Sequence, residues 1–518
     1  MIWRIAQKEF LLNLMTFKFA VGTTVCIVLT AVFMPILAAD YRQRLETYRK
    51  HITENEAELR TAVVYKNIRH TIYRPPAVLS AFSAGLDRQL TGSAQMELAK
   101  VPALTVTERK GNPYLPILAV FDESLIFKIV MSILALLVAY DVVAGEREQG
   151  TLKLMLTGQT ARHHVLLGKF LAGMATLTVP VFITFTIALT VLLSSASVHF
   201  SAADWTRIGL MFVASMAFTT VMYLLGLLFS CLVKASAVSM VLGLFAWIVF
   251  AIVIPNASVH LATQLRPLEP LESREGRMTS LREDLDREVD KIEGEMDYSN
   301  AVITSDASDA FGGYYAKRRD IYWLRLDQEK NRRTLPIQVR YADKLFDVQQ
   351  SNLNSFVAQK DLARCLSFIS PISTYENAMA ILAGTDMMNF VHFINQARAH
   401  RNDVVDYIRT KTDDFSSASF FAICSEEDSA EYTRLYVQVR DAVNDEAKAK
   451  AQQALHDWEQ DHPAAPEPLD LRDFPWFHYR PSALGDFRRA MPDLAALFVT
   501  SIVLFALCFA VFAKYDIR

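Results

Sequence analysis

The run most suggestive of chemistry is Asp141-Val142-Val143-Ala144-Gly145-Glu146-Arg147-Glu148-Gln149-Gly150-Thr151-Leu152-Lys153, followed by Arg162 and by Gly168-Lys169. Gly145 and Gly150 have the spacing of the outer glycines of a P-loop. A P-loop needs Lys-Ser/Thr directly after the second glycine, so that a cation meets the phosphates. Here Thr151-Leu152 follows, and Glu146 and Glu148 would repel phosphate. The run is therefore not read as a nucleotide site. Physically it is a charge cluster, then a helix-breaking glycine, then Thr151 placed to cap a short helix carrying Leu152, Leu154 and Leu156. Such a capped turn is either a docking element for a partner or an ordinary polar loop with one interfacial turn.

Other candidate groups are weaker. Asp122 and Glu123 stand near the end of an apolar run. Ionisable groups inside a membrane are functional candidates, but here the reading taken is of two hydrated carboxylates at headgroup level. His163-His164 and the His456-Asp457 to Asp461-His462 cluster have neither HExxH nor Cys/His finger spacing, and no metal is expected there. No Ser/His/Asp set has a nucleophile-elbow context, so no catalytic residue is assigned and the chain is not read as an enzyme. Of the five cysteines, Cys26, Cys231 and Cys508 lie in apolar runs and Cys365 and Cys424 in a polar region; no CxxC occurs. A Cys365–Cys424 disulfide would need an oxidising compartment and is left open. A net charge of -3 gives no reason to expect nucleic acid.

Apolar helices must position these groups. The chain is 52% hydrophobic yet 21% charged, which suggests membrane segments joined to sizeable water-soluble ones. A bilayer core takes about 20 apolar residues in a helix. Segments 17–39, 168–193, 208–233 and 494–512 meet that. Segment 237–254 is slightly short and stops before Pro255. Segment 115–140 is interrupted by Asp122, Glu123 and Lys128, but its second half is wholly apolar. The expectation is all-α: a polytopic six-span helical membrane domain with a large, mainly helical extracytoplasmic insert.

Residues 1–16 are read as an amphipathic interface helix and 513–518 as a tail. Arg4, Lys8 and Lys18 precede or open the first span. Arg147, Lys153, Arg162 and Lys169 follow the second, Lys234 follows the fourth, and Lys514 and Arg518 end the chain. Loop 194–207 has only Arg207, offset by Asp204. By the positive-inside rule both termini and loop 141–167 are cytoplasmic, and segments 40–114 and 256–490 lie outside. The first span is too long for a signal-peptide core and is expected to stay uncleaved.

In the first outer segment, 41–69 reads as a charged helix ended by Pro75-Pro76, and the rest as loop with short helices. In the second, Leu271, Met278, Leu281, Leu285, Val289, Ile292 and Met296 form one stripe. That predicts a helical hairpin or coiled-coil arm, with its turn in 299–313. Helical patterning resumes over 314–333 and 339–366 with a break at Pro336, then over 389–410 and 431–458. Pro463, Pro466 and Pro468 form a linker. Pro475-Trp476-Phe477-His478-Tyr479 suits a membrane–water interface. Few strands are expected.

The run Glu146-Arg147-Glu148-x-Gly150-Thr151-Leu152, with Arg162 about ten residues on and then Gly168-Lys169, resembles the signature of ABC type-two exporter permeases. In that family this segment is a coupling helix that docks on the ATPase subunit. Trp3-Arg4-Ile5-Ala6-Gln7-Lys8-Glu9-Phe10 is similar to the family's interface helix. The ending from Phe512 to Arg518, and Ser370-Pro371 with the helix after it, resemble a subgroup with a large insert between the fifth and sixth spans. Where the family often has Ser-Pro before its arginine, this chain has Gly158-Gln159-Thr160-Ala161.

The resemblance implies a permease subunit of an ABC transporter in the bacterial cytoplasmic (inner) membrane. It implies a cytoplasmic ABC ATPase partner, a second permease of the same or a related chain, membrane lipid around the spans, and no cofactor of its own, ATP being bound by the partner subunit. It assigns docking to Glu146, Arg147, Glu148, Gly150, Thr151, Leu152 and Arg162. ATP hydrolysis would drive export, or movement of the outer domain. The alternatives carried are mechanotransmission to a periplasmic or envelope protein with no substrate passing through the spans, and a membrane scaffold or sensor without an ATPase.

Overall fold

The computed structural model describes residues 2–90, 92–101, 103–104, 122–152, 161–195, 198–297, 310–311, 314–315, 317–318, 321–420, 422–423, 425–462 and 468–514. Among them are six helices long and apolar enough to cross a membrane. The chain is an all-α polytopic membrane protein, and its described strands are short.

Helix α1 (Ile2–Leu14) precedes α2 (Phe17–Arg60), and Thr16 separates them by accepting the Phe19 N–H on its hydroxyl at 3.4 Å. With 44 residues, α2 is about 66 Å long at 1.5 Å per residue. The first crossing helix therefore does not end with its apolar run. It continues as a rod, with Pro35 accommodated inside it. The charged helix expected over 41–69 is this rod's outer half, and it stops before Pro75-Pro76. Thr61 ends it by bonding back to the Glu58 and Leu59 carbonyls, and the Leu469 N–H takes the Ala62 carbonyl at 2.8 Å.

Beyond it, where loop was expected, lies a three-stranded antiparallel sheet, β1 (His70–Tyr73), β2 (Ser93–Met96) and β3 (Ala103–Leu104), in the order β1-β2-β3. Strands of two to four residues offer too few alternations to reveal a period of two.

The next crossing helices are α3 (Glu123–Glu148), α4 (Arg162–Leu193), α5 (Ala202–Leu232) and α6 (Ser236–Leu265). Ser201 and Asp204 form a reciprocal capping box at the start of α5. Helix α6 does not stop at Pro255. A proline ring clashes with the carbonyl one turn back. The π-helical turn Val249–Val253, just ahead of it, loosens that turn and lets the helix continue.

The insert begins with α7 (Leu271–Gly294) and α8 (Ile321–Ser367). Lys330 pairs with Glu293 at 2.8 Å, Arg340 with Glu288 at 2.5 Å, and Gln359 reaches the Arg266 carbonyl at 2.7 Å. The partners run in opposite sequence directions, so the helices form the expected antiparallel hairpin. Along the stripe, Met278, Leu281, Leu285, Val289 and Met296 are half-buried, Ile292 is buried and Leu271 is exposed. Most of the expected turn at 299–313 lies outside the described residues. Helix α8 passes through Pro336 without the expected break. Leu335 and Val339 on either side are buried in the insert's core, and that packing offsets the lost backbone bond.

There follow α9 (Pro371–Ala383), capped by Ser370, and α10 (Met387–Lys411). The helix expected over 431–458 is two, α11 (Glu426–Arg440) and α12 (Asp445–Asp461), the second capped by Asn444. The last crossing helix is α13 (Ala483–Ala513).

Helix α9 belongs to the core of the crossing helices, although 256–490 reads as a water-soluble stretch. Tyr375 stacks on Phe218 of α5 at 4.5 Å and 13°, its hydroxyl lies 3.1 Å from that of Ser215, and Ser370 donates to the Phe250 carbonyl at 2.6 Å. A network of charges fastens this end of the bundle. Arg207 of α5 pairs with Asp486 of α13 at 2.6 Å, Arg489 reaches both Asp486 and Asp386, and Arg364 at the end of α8 pairs with Asp493. Buried charges persist only when paired in this way.

The aromatic run before α13 packs against the outer half of α2. Trp476 packs edge-on against Phe474 at 5.2 Å and His70 at 6.0 Å, beside the outer half of α2. The Thr71 N–H donates to Asn55 Oδ1 at 3.0 Å, so the Asn55 amide nitrogen faces His70 Nδ1 at 3.2 Å. Nδ1 must then accept, and the imidazole is neutral. Burial, and then His400 with its ring 5.1 Å away, pushes His70 down to about 3. Burial, and then His478, pushes His400 down to about 4.

Both folded-state values lie below the ordinary 6.5, so the unfolded chain binds protons first as pH falls. Stability is fully present above about pH 6.5 and is lost toward pH 4, by about 1–2 kcal/mol per imidazole at pH 5. The full-length protein in detergent is expected to melt at a clearly lower temperature at pH 5 than at pH 7.5, and His70→Phe should shrink that difference. An unchanged difference in the variant would remove His70 from the account.

Candidate functional site

Helix α1 and the end of α13 meet at one end of the bundle, at the junction where the Glu146 motif lies. Helix α1 packs along the start of α4, and Gly168 leaves so little room that a β-carbon there would meet Ile5 at 2.9 Å. Lys18, at the foot of α2, pairs with Asp141 at 2.6 Å. The Arg162 guanidinium donates to the Ala513 carbonyl at the end of α13.

Within the motif each charge completes a different helix end. The Glu146 carboxylate accepts from Lys169 of α4 at 2.7 Å, and the same ammonium reaches Glu9 of α1 at 3.1 Å. The Lys169 side chain is only 1% exposed. Arg147 donates to the carbonyls of Val233 at 2.9 Å and Cys231 at 3.3 Å, which the end of α5 leaves without helical partners. Glu148 accepts from the Ser236 N–H at 2.9 Å and its hydroxyl at 2.7 Å, capping α6 with a carboxylate from another helix. Ser230 adds a fourth tie, accepting from the N–H groups of Val143 and Ala144 at 3.0 and 2.9 Å. The motif thus binds α1, α3, α4, α5 and α6 to one another.

The rest of the assigned set divides between surface and core. Gly150 has φ 71°, in the left-handed region that favours glycine, with nothing within 4 Å of where a β-carbon would stand. The Thr151 hydroxyl donates back to the Glu146 carbonyl at 3.3 Å, and the backbone N–H groups that it would cap lie outside the described residues. Glu148, Gln149, Gly150 and Thr151 are exposed, whereas Leu152 is fully buried in the bundle's core. Residues 153–160, with Leu154 and Leu156 of the proposed docking turn, lie outside the described residues.

Sequence reasoning missed the partners, namely Glu9, Ser230, Ser236 and the exact place of Lys169. A lysine one residue into an apolar run was the available signal. Nearby, Tyr223 donates to the Lys169 carbonyl at 3.1 Å and lies so close to Gly173 that a β-carbon there would sit 2.2 Å from the ring. The junction is built to hold helix ends in fixed relation.

The two carboxylates at the other end of α3 are not hydrated, contrary to expectation. Asp122 caps α3, accepting from the Leu125 N–H at 2.8 Å, the Ser124 hydroxyl at 2.9 Å and the Ala84 N–H at 2.7 Å. Glu123 is completely buried; one oxygen accepts from Thr30 at 3.3 Å and the other has no hydrogen-bond partner. The stretch containing Phe82 and Ala84 packs over this end of the helix, its Phe82 carbonyl accepting from the Ser124 N–H at 2.9 Å, a long-range contact that a hydropathy window cannot register.

Among the described residues no three His, Cys, Asp or Glu side chains gather as metal ligands. His163 and His164 face each other at 4.2 Å, and His462 stacks on Trp458 at 4.2 Å. Cys365 is a free, exposed thiol, and Cys424 lies outside the described residues. A family model described as ABC-2 family transporter protein matches residues 3–517. No curated protein matches the chain.

Proposed function

The chain belongs to the ABC-2 family of transporter proteins, and from that premise we propose that it couples ATP hydrolysis on a separate cytoplasmic chain to movement of its outer domain. It is a permease subunit that works with an ATP-binding subunit. In the proposal both termini and the Glu146 motif face the cytoplasm of a bacterial inner membrane, and the surface from Glu148 through Thr151 to the following turn receives the ATPase. Glu146 and Arg147 act behind that surface, because their charges are taken up within the chain. A second permease, identical or related, completes the complex.

The observation that carries the proposal is α2. It is tied at its foot to Asp141 and runs without interruption to Arg60. Displacement of the junction would be delivered outward by a rigid helix. This favours movement of the outer domain, and through it of an envelope partner, over simple passage of a substrate between the spans.

The test uses the complex purified from mild detergent. Gly150→Val forces a β-branched residue into left-handed backbone, at about 1–2 kcal/mol. Glu148→Lys removes the cap of α6 and reverses the exposed charge. Both variants are expected to insert at normal levels and to lose ATPase copurification, or to keep the complex while losing ATP-dependent activity. Lys234→Ala, on the neighbouring exposed turn, should do less. Wild-type assembly and activity in both variants would refute the docking assignment.

A further inference from the structure

A cavity of about 260 Å³ opens between the outer half of α2, the edge strand β1 and the segment leading into α13. Its walls include Tyr48, Tyr73, Trp476 and Tyr479, with Glu56 the carboxylate among them. The volume lies below the roughly 300–1,000 Å³ of pockets for drug-sized ligands, so an occupant is small.

The charge around the cavity is one-sided. Among the described residues that line it, none is Lys or Arg. The nearby Arg74 is turned to Asp87 at 2.9 Å and is itself buried. The Tyr73 phenol is held above its ordinary value first by burial and then by the carboxylates of Glu54 and Glu58 on the same helix as Glu56. The Asn55 amide nitrogen against Nδ1 keeps His70 neutral, so that wall residue adds no positive charge. Apart from His478, the described wall offers an anion no basic side chain, whereas Glu56 would repel it. Aromatic faces beside a carboxylate attract a cation, and such cages suit quaternary ammonium groups because the charge is diffuse and weakly hydrated.

We propose that this cleft binds a small organic cation with an ammonium head, held over the Tyr48, Tyr73, Trp476 and Tyr479 rings and paired with Glu56. The site stands apart from the junction and needs no nucleotide.

Full-length protein in nanodiscs of phosphatidylglycerol, which carry no choline headgroups, would be titrated calorimetrically with choline and with its uncharged isostere 3,3-dimethyl-1-butanol. Choline should bind at least about tenfold more tightly than the isostere. Glu56→Gln, a change on a half-buried helix surface that leaves packing intact, should weaken choline about fivefold or more and leave the isostere unchanged. Trp476→Leu should weaken choline similarly. If that variant melts early, Glu56→Gln decides alone. Equal binding of the two probes, absence of choline binding up to ~10 mM, or full affinity in Glu56→Gln would each overturn the proposal.

Discussion

Lys169→Met is expected to be the most damaging single substitution at the junction. The lysine is buried between Glu146 at 2.7 Å and Glu9 at 3.1 Å, and it offsets both carboxylates. Removing one partner of a buried ionic cluster costs about 3–5 kcal/mol, because the remaining charges stay desolvated and now repel. The carboxylate side chains are 20% and 14% exposed, so water screens part of this, and about 2–4 kcal/mol is expected. The variant should express poorly and melt early in detergent. Adding Glu9→Gln and Glu146→Gln should restore most of the loss, since a neutral cluster carries no desolvated charge. If Lys169→Met melts like the wild type, the cluster does not hold α1 and α3 to α4. If the triple variant melts no better than the single one, shape rather than charge is the cause.

The same cluster shows what could be read in advance. Apolar length located the crossing helices, because a bilayer imposes a minimum run that few soluble helices reach. The motif located the junction. Neither could show that Glu148 caps α6 or that Arg147 closes α5, because those partners lie more than 80 residues away in sequence. Pro255 and Pro336 misled for one reason. A proline's local cost is fixed, but a π-helical turn in one case and buried neighbours in the other absorb it. Glu123 misled in the opposite direction. Its position at the end of an apolar run suggested water, and a segment far earlier in the chain covers it. Local patterning reports what a residue prefers, whereas burial depends on what folds over it.

Inserting three glycines between Arg49 and Lys50 is expected to abolish outward transmission while sparing ATP hydrolysis. Both residues are exposed, so the insertion displaces no buried contact at the site itself. Below it, Arg44 ties α2 to Asp87 at 2.7 Å and to the Ser80 hydroxyl at 2.9 Å, and these bonds hold the lower part of the rod in register. Above it, Leu59 is buried in the insert's core, and that packing holds the tip. Each half therefore keeps its surroundings, and only the connection loses stiffness. Consecutive glycines cost about 1 kcal/mol each in a helix and make the break the soft point. Fluorescence energy transfer between dyes at Glu58 and Lys234, both exposed, would report the tip's position relative to the opposite end. In the reconstituted complex, trapping the ATPase in its closed state should shift transfer efficiency in the parent protein. The shift should fall to less than half in the insertion variant, with ATPase turnover retained. An identical shift in both would mean that α13 or α6 carries the motion, and α2 would lose its role as the rod. No shift in either, with active ATPase, would remove the case for a moving outer domain and return export between the spans as the better account.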